Sequence, residues 1–407
     1  MKPSTSMQIL PQHRRAAGLD MHKDLVCACF YVAGEVEEVR EYHTFTCDLE
    51  RVRDDLLALQ INHVLMESTG VYWIALCAIL TSAGITVHVV NARFVKNMPK
   101  EKTDRKDARW LCKLLVNNQI RDSFVVGDEQ RAFRDLCRMR IKYTQHISQA
   151  QNRIVKNLER RNIKLRSVVS SMDTLSAMSI VAAIAGGESD IEKLVALCKG
   201  KLKKKCDDMR KALHGVISRS DRSVLQRLLA DIAHYKKQIA DIEKEISVHT
   251  EKVSADLIKN LREVKGVGKD STEVILAEVG SNVDAFASPD KLAAWCGLAP
   301  GNNESADKRR YSSTRDGNKH IKTIMTQVAW AAVRTRNSYW RALYYHLVRR
   351  MPPKKAIIAI ARKLIRLIYK IIKGTKTYVE YGAEYFMMHL AERQADKRSV
   401  HAAPQPT

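Results

Sequence analysis

RRAAGLDMHKDLVCACFYVAG, residues 14–34, sets Asp20 inside a run of small, apolar and β-branched residues. Such a run, followed by a glycine-containing turn and then EVEEVREYHTF (residues 35–45), reads as strands joined in a hairpin or meander. Beyond it a helical stretch from Leu49 to Gln60 leads into the apolar HVLM at 63–66. A second helical stretch, Val71 to Ser82, leads into ITVHVV at 85–90. Strand and helix alternate, which predicts an α/β sheet. From Thr103 to Asn118 the apolar Ala108, Leu111, Leu115 and Val116 recur at helical spacing, so the segment after the acidic TDRKD is expected to be a helix.

Three of these segments carry carboxylates where such a sheet exposes them. Asp20 ends an apolar strand, Glu67 follows directly on HVLM, and Asp104 and Asp107 stand at i and i+3 on one face of a helix start. Acidic residues at a helix start also complement its dipole, and that alone would explain Asp104 and Asp107. An aspartate inside an apolar strand is costlier, because a buried carboxylate needs a donor or a cation. Oxygen ligands of this kind suit magnesium or manganese. Paired divalent ions in turn suit phosphoryl displacement, the chemistry of nucleases and transposases. Lys23, Lys102, Arg105, Lys106 and Arg109 flank the four acids and are candidates to hold a DNA backbone against the ions.

Composition agrees with a polyanionic partner. The chain has 407 residues, with 69 Lys and Arg against 45 Asp and Glu, a formal charge of +24. That length predicts more than one domain. No apolar run approaches the roughly 20 residues of a spanning helix, and the opening MKPSTSMQILPQHRRAAG lacks a signal-peptide core, so no membrane role and a cytoplasmic location are expected. Nine cysteines are scattered, which fits reduced thiols. Cys27 and Cys29 read as small core residues, and zinc is not indicated.

The expected boundaries are 1–125 for the carboxylate domain, 126–260 for extended helices in the manner of a coiled coil, 261–390 for a basic and mostly helical domain, and 391–407 for a disordered tail. Between Arg131 and Arg166 basic residues outnumber acids, and Arg138, Arg153, Lys156 and Arg160 are candidate phosphate contacts. In LREVKGVGKDSTEVILAEVG (261–280), Gly266 and Gly268 could let a turn approach a phosphate. Lys308, Arg309, Arg310, Arg315 and Lys319 open a further basic stretch. Ile357, Ile360, Leu364 and Ile368 then mark the apolar face of a basic amphipathic helix. The long helical segment needs a surface to cover its own apolar stripe, and a second chain would supply one.

GLDMHK at 18–23, MESTGVYW at 66–73 and KTDRKDARWL at 102–111 resemble, in order and spacing, the three acidic motifs of the DEDD transposases of bacterial insertion sequences, the insertion-sequence one-ten family related to the Piv and MooV invertases. VKGVG at 264–268, LAAWCGLAPGNNESADKRR at 292–310 and TRDGNKHIKT at 314–323 resemble that family's C-terminal transposase domain. The resemblance implies an α/β plus α protein, with a RuvC-like (ribonuclease H-like) domain joined through a coiled coil to a mostly helical transposase domain. It implies a catalytic set of Asp20, Glu67, Asp104 and Asp107 with Mg2+ or Mn2+, and Ser305 as a nucleophile in a composite site between subunits of a homo-dimer or homo-tetramer. Donor and target double-stranded DNA and a structured non-coding bridge RNA are the implied partners, and the bacterial nucleoid the place of action. Base pairing would read sequence there while the protein reads shape and phosphate.

Around the serine the pattern departs, with Asp307 and Ser313 where many relatives have Gly. Ser312 and Ser313 are neighbouring alternatives, and Tyr311 reads as a packing residue. Two readings compete with guided recombination: a metal-dependent, junction-resolvase-like nuclease without serine chemistry, and a non-catalytic nucleic-acid-binding protein whose acids serve as caps and ion-pair partners.

Overall fold

The computed structural model describes residues 13–33, 35–36, 39–68, 70–91, 103–301, 304–305, 308–309 and 313–402, with side chains at all of these except 36, 304–305, 308–309 and 393–402. The chain divides into two compact units, Met1–Val126 and Gly127–Thr407.

In the first unit, β1 (Arg15–Met21) lies between β2 (Leu25–Val32), which is antiparallel to it, and β5 (His63–Glu67), which is parallel. β6 (Thr86–Val90) continues the parallel side, while β3 (Glu35–Val36) and β4 (Arg40–His43) both pair with β2. Both faces of this sheet are covered, so β1 is apolar almost throughout instead of alternating. Ala17, Leu19 and Val64 face the cluster that includes Leu49, Val52 and Leu56 of α1 (Thr46–Ala58) and Leu76 and Leu80 of α2 (Trp73–Ser82). Ala16, Cys27, Cys29 and Leu65 face Ala108, Leu111 and Leu115 of α3 (Asp104–Val116). The period of two along β1 therefore puts Gly18 and Asp20 on the α3 side of the sheet. Cys27 and Cys29 are wholly buried core thiols.

The second unit is helical among its described residues, apart from a short hairpin. α4 (Asp128–Glu159) and α9 (Arg219–Glu251) run antiparallel along their length. Glu129 pairs with Lys252 just past the end of α9, the Phe133 ring stacks on His249 at 5.3 Å, Tyr143 meets Tyr235 at 5.4 Å, and Arg161 just past α4 holds Asp221 at 2.6 Å. The apolar stripe Ile147, Ala150, Ile154 and Leu158 is covered by Leu225, Leu228 and Ile232 and by the short helices α5 (Leu165–Val168), α6 (Leu175–Gly186), α7 (Ile191–Ala196) and α8 (Cys206–Ala212). A second chain is thus not required to cover that stripe, contrary to expectation, because the chain folds back on itself.

Then come α10 (Ala255–Glu263), α11 (Lys269–Val279) and α12 (Pro289–Trp295), the strands β7 (Glu304–Ser305) and β8 (Lys308–Arg309), and the helices α13 (Lys319–Arg334), α14 (Tyr339–Val348), α15 (Pro353–Ile372) and α16 (Gly382–Ala402). α15 buries Ile357, Ile360, Leu364 and Ile368 as its period predicts. Gly266 serves packing, not an approach to phosphate: at φ +90° a Cβ there would sit 2.4 Å from Val328 O on α13. The tail expected to be disordered from 391 continues α16 as far as Ala402. AERQADKRSVHA is rich in good helix formers and has neither Pro nor Gly. Among the described residues no helix is long and apolar enough to cross a membrane.

Candidate metal centre and nucleic-acid surface

Parallel pairing of β1 with β5 matches Leu19 to Met66, so the next step of the register brings Asp20 beside Glu67, the last residue of β5. α3 crosses the same end. Thr103 caps it, its Oγ1 accepting from Lys106 N at 3.3 Å, and that places Asp104 and Asp107 in the first turn. Close contact of α3 with β1 depends on Gly18, where a Cβ would come within 2.3 Å of Ala108 O and Cys112 N.

Asp20 is 7% exposed. Burial first of all pushes its carboxyl up from 3.8 to about 6; His22 pulls it partly back, and the charges of Asp107, Glu67 and Asp104 raise it again. Glu67, Asp104 and Asp107 therefore each lie within electrostatic reach of Asp20 at one end of the sheet. His22 stands between two of them, its Nε2 3.3 Å from Asp20 Oδ2 and 3.3 Å from Asp104 Oδ1. Asp20, His22 and Asp104 each bring a ligand atom within 4.8 Å of the other two. A carboxylate whose pKa is raised first by burial and then by three neighbouring acids is one that a divalent cation would relieve, and its hard oxygens suit magnesium. His22 escaped the sequence reading. Its signal was the alternation that carries Asp20 on to the second residue beyond it.

Around the carboxylates Lys23, Lys106 and Arg109 are exposed, and Arg105 Nε lies 2.6 Å from Glu41. Lys102 lies outside the described residues. In the second unit the candidate cations separate into two groups. Arg153, Lys156 and Arg160 line a groove of about 410 Å³ between α4 and α9, joined by Arg227, which the sequence reading missed. Asn157 lies in the same groove with its Oδ1 buried and not hydrogen-bonded. Arg138 points elsewhere: its Nε and guanidinium N–H donate to Glu278 at 2.7 and 3.0 Å, and Glu278 is 1% exposed. Arg140 is likewise held by buried Glu273 at 2.5 Å. The charge of these two arginines is engaged in joining α4 to α11.

Ser305 lies in β7, in register with Lys308 of β8, while Glu304 matches Arg309. The ladder continues outward through Gly301 N to Ser313 O at 2.8 Å and the Pro300–Thr314 bridge, so Ser305 stands near the tip of a hairpin. The side chains of Ser305, Lys308 and Arg309, and all of Arg310, Tyr311 and Ser312, lie outside what is described. Arg315 and Lys319 are exposed at the hairpin's base and the start of α13.

Comparison with known proteins fits this layout. Residues 17–163, from β1 to just past α4, match a family model for DEDD transposases of the IS110 group, described as "Transposase". Residues 258–346 match the family described as "Transposase IS116/IS110/IS902 family". The chain is also 31% identical over 125 residues to the "Putative transposase y4pF/y4sB" of Sinorhizobium fredii (strain NBRC 101917 / NGR234), a stretch covering 30% of this chain and 32% of that one. One match contains all four expected carboxylates and the other the hairpin with Ser305, in the order that the motifs predict, and the chain belongs to the IS110 family of DEDD transposases.

Proposed function

We propose that this protein is a bridge-RNA-guided DNA recombinase of an insertion sequence, which cuts and rejoins DNA using a RuvC-like carboxylate site and Ser305. The observation that carries the reading is the burial of Asp20 against Glu67, Asp104 and Asp107, with its acidity weakened by all three. A group costly to the fold and placed at a sheet end among its like is a functional group before it is a structural one. Asp20, Glu67, Asp104 and Asp107 would hold magnesium or manganese, which supplies charge neutralisation at a scissile phosphate and its leaving oxygen. Lys23, Lys106 and Arg109 align the backbone at that site, and the α4/α9 groove of the second unit binds phosphates in its own right.

In the serine step the Ser305 Oγ–phosphorus bond forms as the phosphorus–O3′ bond breaks. The serine proton leaves to solvent or a base, and the 3′ oxygen departs as a hydroxyl. The 5′-phosphoserine link keeps the energy of the broken bond, and attack by another 3′-hydroxyl rejoins DNA and frees the serine. The carboxylates and the serine belong to different units of the chain, so a homo-dimer or homo-tetramer with composite sites would bring them together. Pairing of a structured RNA with donor and target duplexes supplies sequence choice, consistent with a chain whose cations are suited to phosphate.

The test is to purify the protein with its bound nucleic acid, sequence that RNA, and assay joining of matching duplexes with and without magnesium. The expected result is one discrete RNA, magnesium-dependent joining, a covalent protein–DNA adduct, and loss of joining in Asp20→Ala and Ser305→Ala. Recovery of no discrete RNA overturns guidance. Cutting by Ser305→Ala without an adduct overturns the serine step in favour of a resolvase-like nuclease, and full joining by Asp20→Ala overturns the metal site.

A further inference from the structure

Between α15 and α16 lies a cavity of about 460 Å³ that none of the site residues above enters. One wall is a line of cations, Lys363, Arg366 and Lys370, spaced i, i+3, i+7 along α15 and so on one face over about 10 Å. The facing wall is aromatic. Tyr381 stacks on Tyr385 at 4.4 Å and 21°, and Tyr385 meets His389 edge-on at 4.2 Å, the three at i, i+4, i+8.

The packing of α16 on α14 does not need these tyrosines. Phe386 fills that role, 8% exposed and edge-on to Tyr339 at 5.5 Å, beside Trp340 at 6%. Tyr381 and Tyr385 remain 48% and 37% exposed on the cavity side. Three of the nearby acids have partners, while Glu384 is exposed on α16. Glu380 accepts from Tyr339 N at 2.8 Å and Gly382 N at 3.0 Å, Glu392 lies 2.7 Å from His389, and Arg366 shares Asp290 with Arg362. The cavity lining carries four cations, Lys363, Arg366, Lys370 and Lys376, and among the described residues no carboxylate, although Asp290 draws on Arg366 from outside it.

The geometry points to a binding site for single-stranded nucleic acid, in which unpaired bases stack on Tyr381 and Tyr385 while the phosphates track Lys363, Arg366 and Lys370. A duplex offers its phosphates but keeps its base faces stacked inside, so aromatic faces opposite a cation line select unpaired nucleotides. The inference rests on the nucleic-acid reading above and deepens it. Guided exchange leaves displaced DNA strands and unpaired RNA loops, and both present the chemistry this groove fits.

The test uses the full-length protein and measures binding of fluorescent oligothymidine, oligouridine and a blunt DNA duplex by anisotropy. Tyr381→Ala/Tyr385→Ala is expected to weaken single-strand binding at least tenfold and leave duplex binding within about twofold. Tyr381→Phe/Tyr385→Phe should restore it, since the ring faces return. A 5-iodouridine oligomer should photocrosslink to the segment 378–392 of the wild type, a readout independent of whether the alanine variant folds. Oligothymidine and oligouridine weakened equally would assign the groove to any single strand, and loss with oligouridine alone would assign it to RNA. Unchanged single-strand affinity in a folded alanine variant, or crosslinks confined to other segments, overturns the site. A wild type that binds the duplex but neither oligomer overturns this site alone, whereas one that binds no nucleic acid overturns the reading beneath it as well.

Discussion

Gly18 of β1 has the backbone of Cys112 of α3 directly against it, so close that a methyl group at Gly18 would lie 2.3 Å from Cys112 N. The same approach lets α3 deliver Asp104 and Asp107 to the end of the strand that holds Asp20. Gly18→Ala must push a helix backbone aside, since no flexible side chain is there to yield. The expected cost is about 3 kcal/mol of stability. A displacement near 1 Å at two of the four carboxylates should lower recombination on the order of a hundredfold. Thermal melting and a joining assay on the full chain check both. A melting point and activity equal to wild type would mean that the two elements do not meet as described.

The raised pKa of Asp20 makes a separate claim about pH. Its folded pKa of about 6 lies above the ordinary 3.8, so the folded state binds this proton more tightly than the unfolded chain does. Stability from that proton is fully present below pH about 4 and is lost as pH rises through 6. Asp20→Asn mimics the protonated acid. In metal-free buffer at pH 7.5 it should be more stable than wild type by about 2–3 kcal/mol, seen as a melting point several degrees higher, and the advantage should vanish near pH 4. Added magnesium should raise the melting point of the wild type more than that of Asp20→Asn. A variant less stable than wild type at pH 7.5 would refute the strain assigned to this residue.

Much of this site could be read from the chain because its parts obey local periods. β1 and β5 announce themselves as apolar runs ending in Asp20 and Glu67, and α3 by the return of Ala108, Leu111 and Leu115. What local pattern cannot carry is the choice of a distant partner. Arg138 and Arg153 look alike along α4, yet one faces a buried glutamate 140 residues away and the other an open groove. The same limit hid Arg227, which joins the groove from the returning helix, and the fold-back that covers the apolar stripe of α4. Gly266 misled for a related reason: glycine marks a close approach without saying whether phosphate or helix backbone arrives.

The second group of arginines gives a stability prediction. Arg140 and Glu273 are both nearly inaccessible and joined at 2.5 Å, fixing α4 against α11. Glu273→Ala leaves the buried guanidinium only Asp270, exposed and 3.6 Å away, and should cost about 3 kcal/mol. Glu273→Gln keeps an acceptor and should cost less. Chemical denaturation of the full chain measures both; a Glu273→Ala midpoint equal to wild type would show that water reaches Arg140 and that the pair is not a buried one.

The two groups of cations should also part in their response to salt. Each phosphate neutralised by a protein cation releases counterions and adds about 0.9 to the slope of log affinity against log salt on duplex DNA. Arg153, Lys156, Arg160 and Arg227 converge on one groove, with Asp221 3.9 Å from Arg160 as the nearest opposing charge. Replacing Lys156 and Arg227 together by alanine should therefore reduce the slope by about 2, weaken binding to all sequences alike, and leave the melting point near wild type. Arg138→Ala should do the reverse, because its guanidinium is spent on Glu278: the melting point falls and the salt slope stays. Titrations of a labelled duplex between low and moderate salt separate the outcomes. An unchanged slope in Lys156→Ala/Arg227→Ala would remove the α4/α9 groove from the nucleic-acid surface and leave the hairpin base and the carboxylate rim to bear the phosphate contacts.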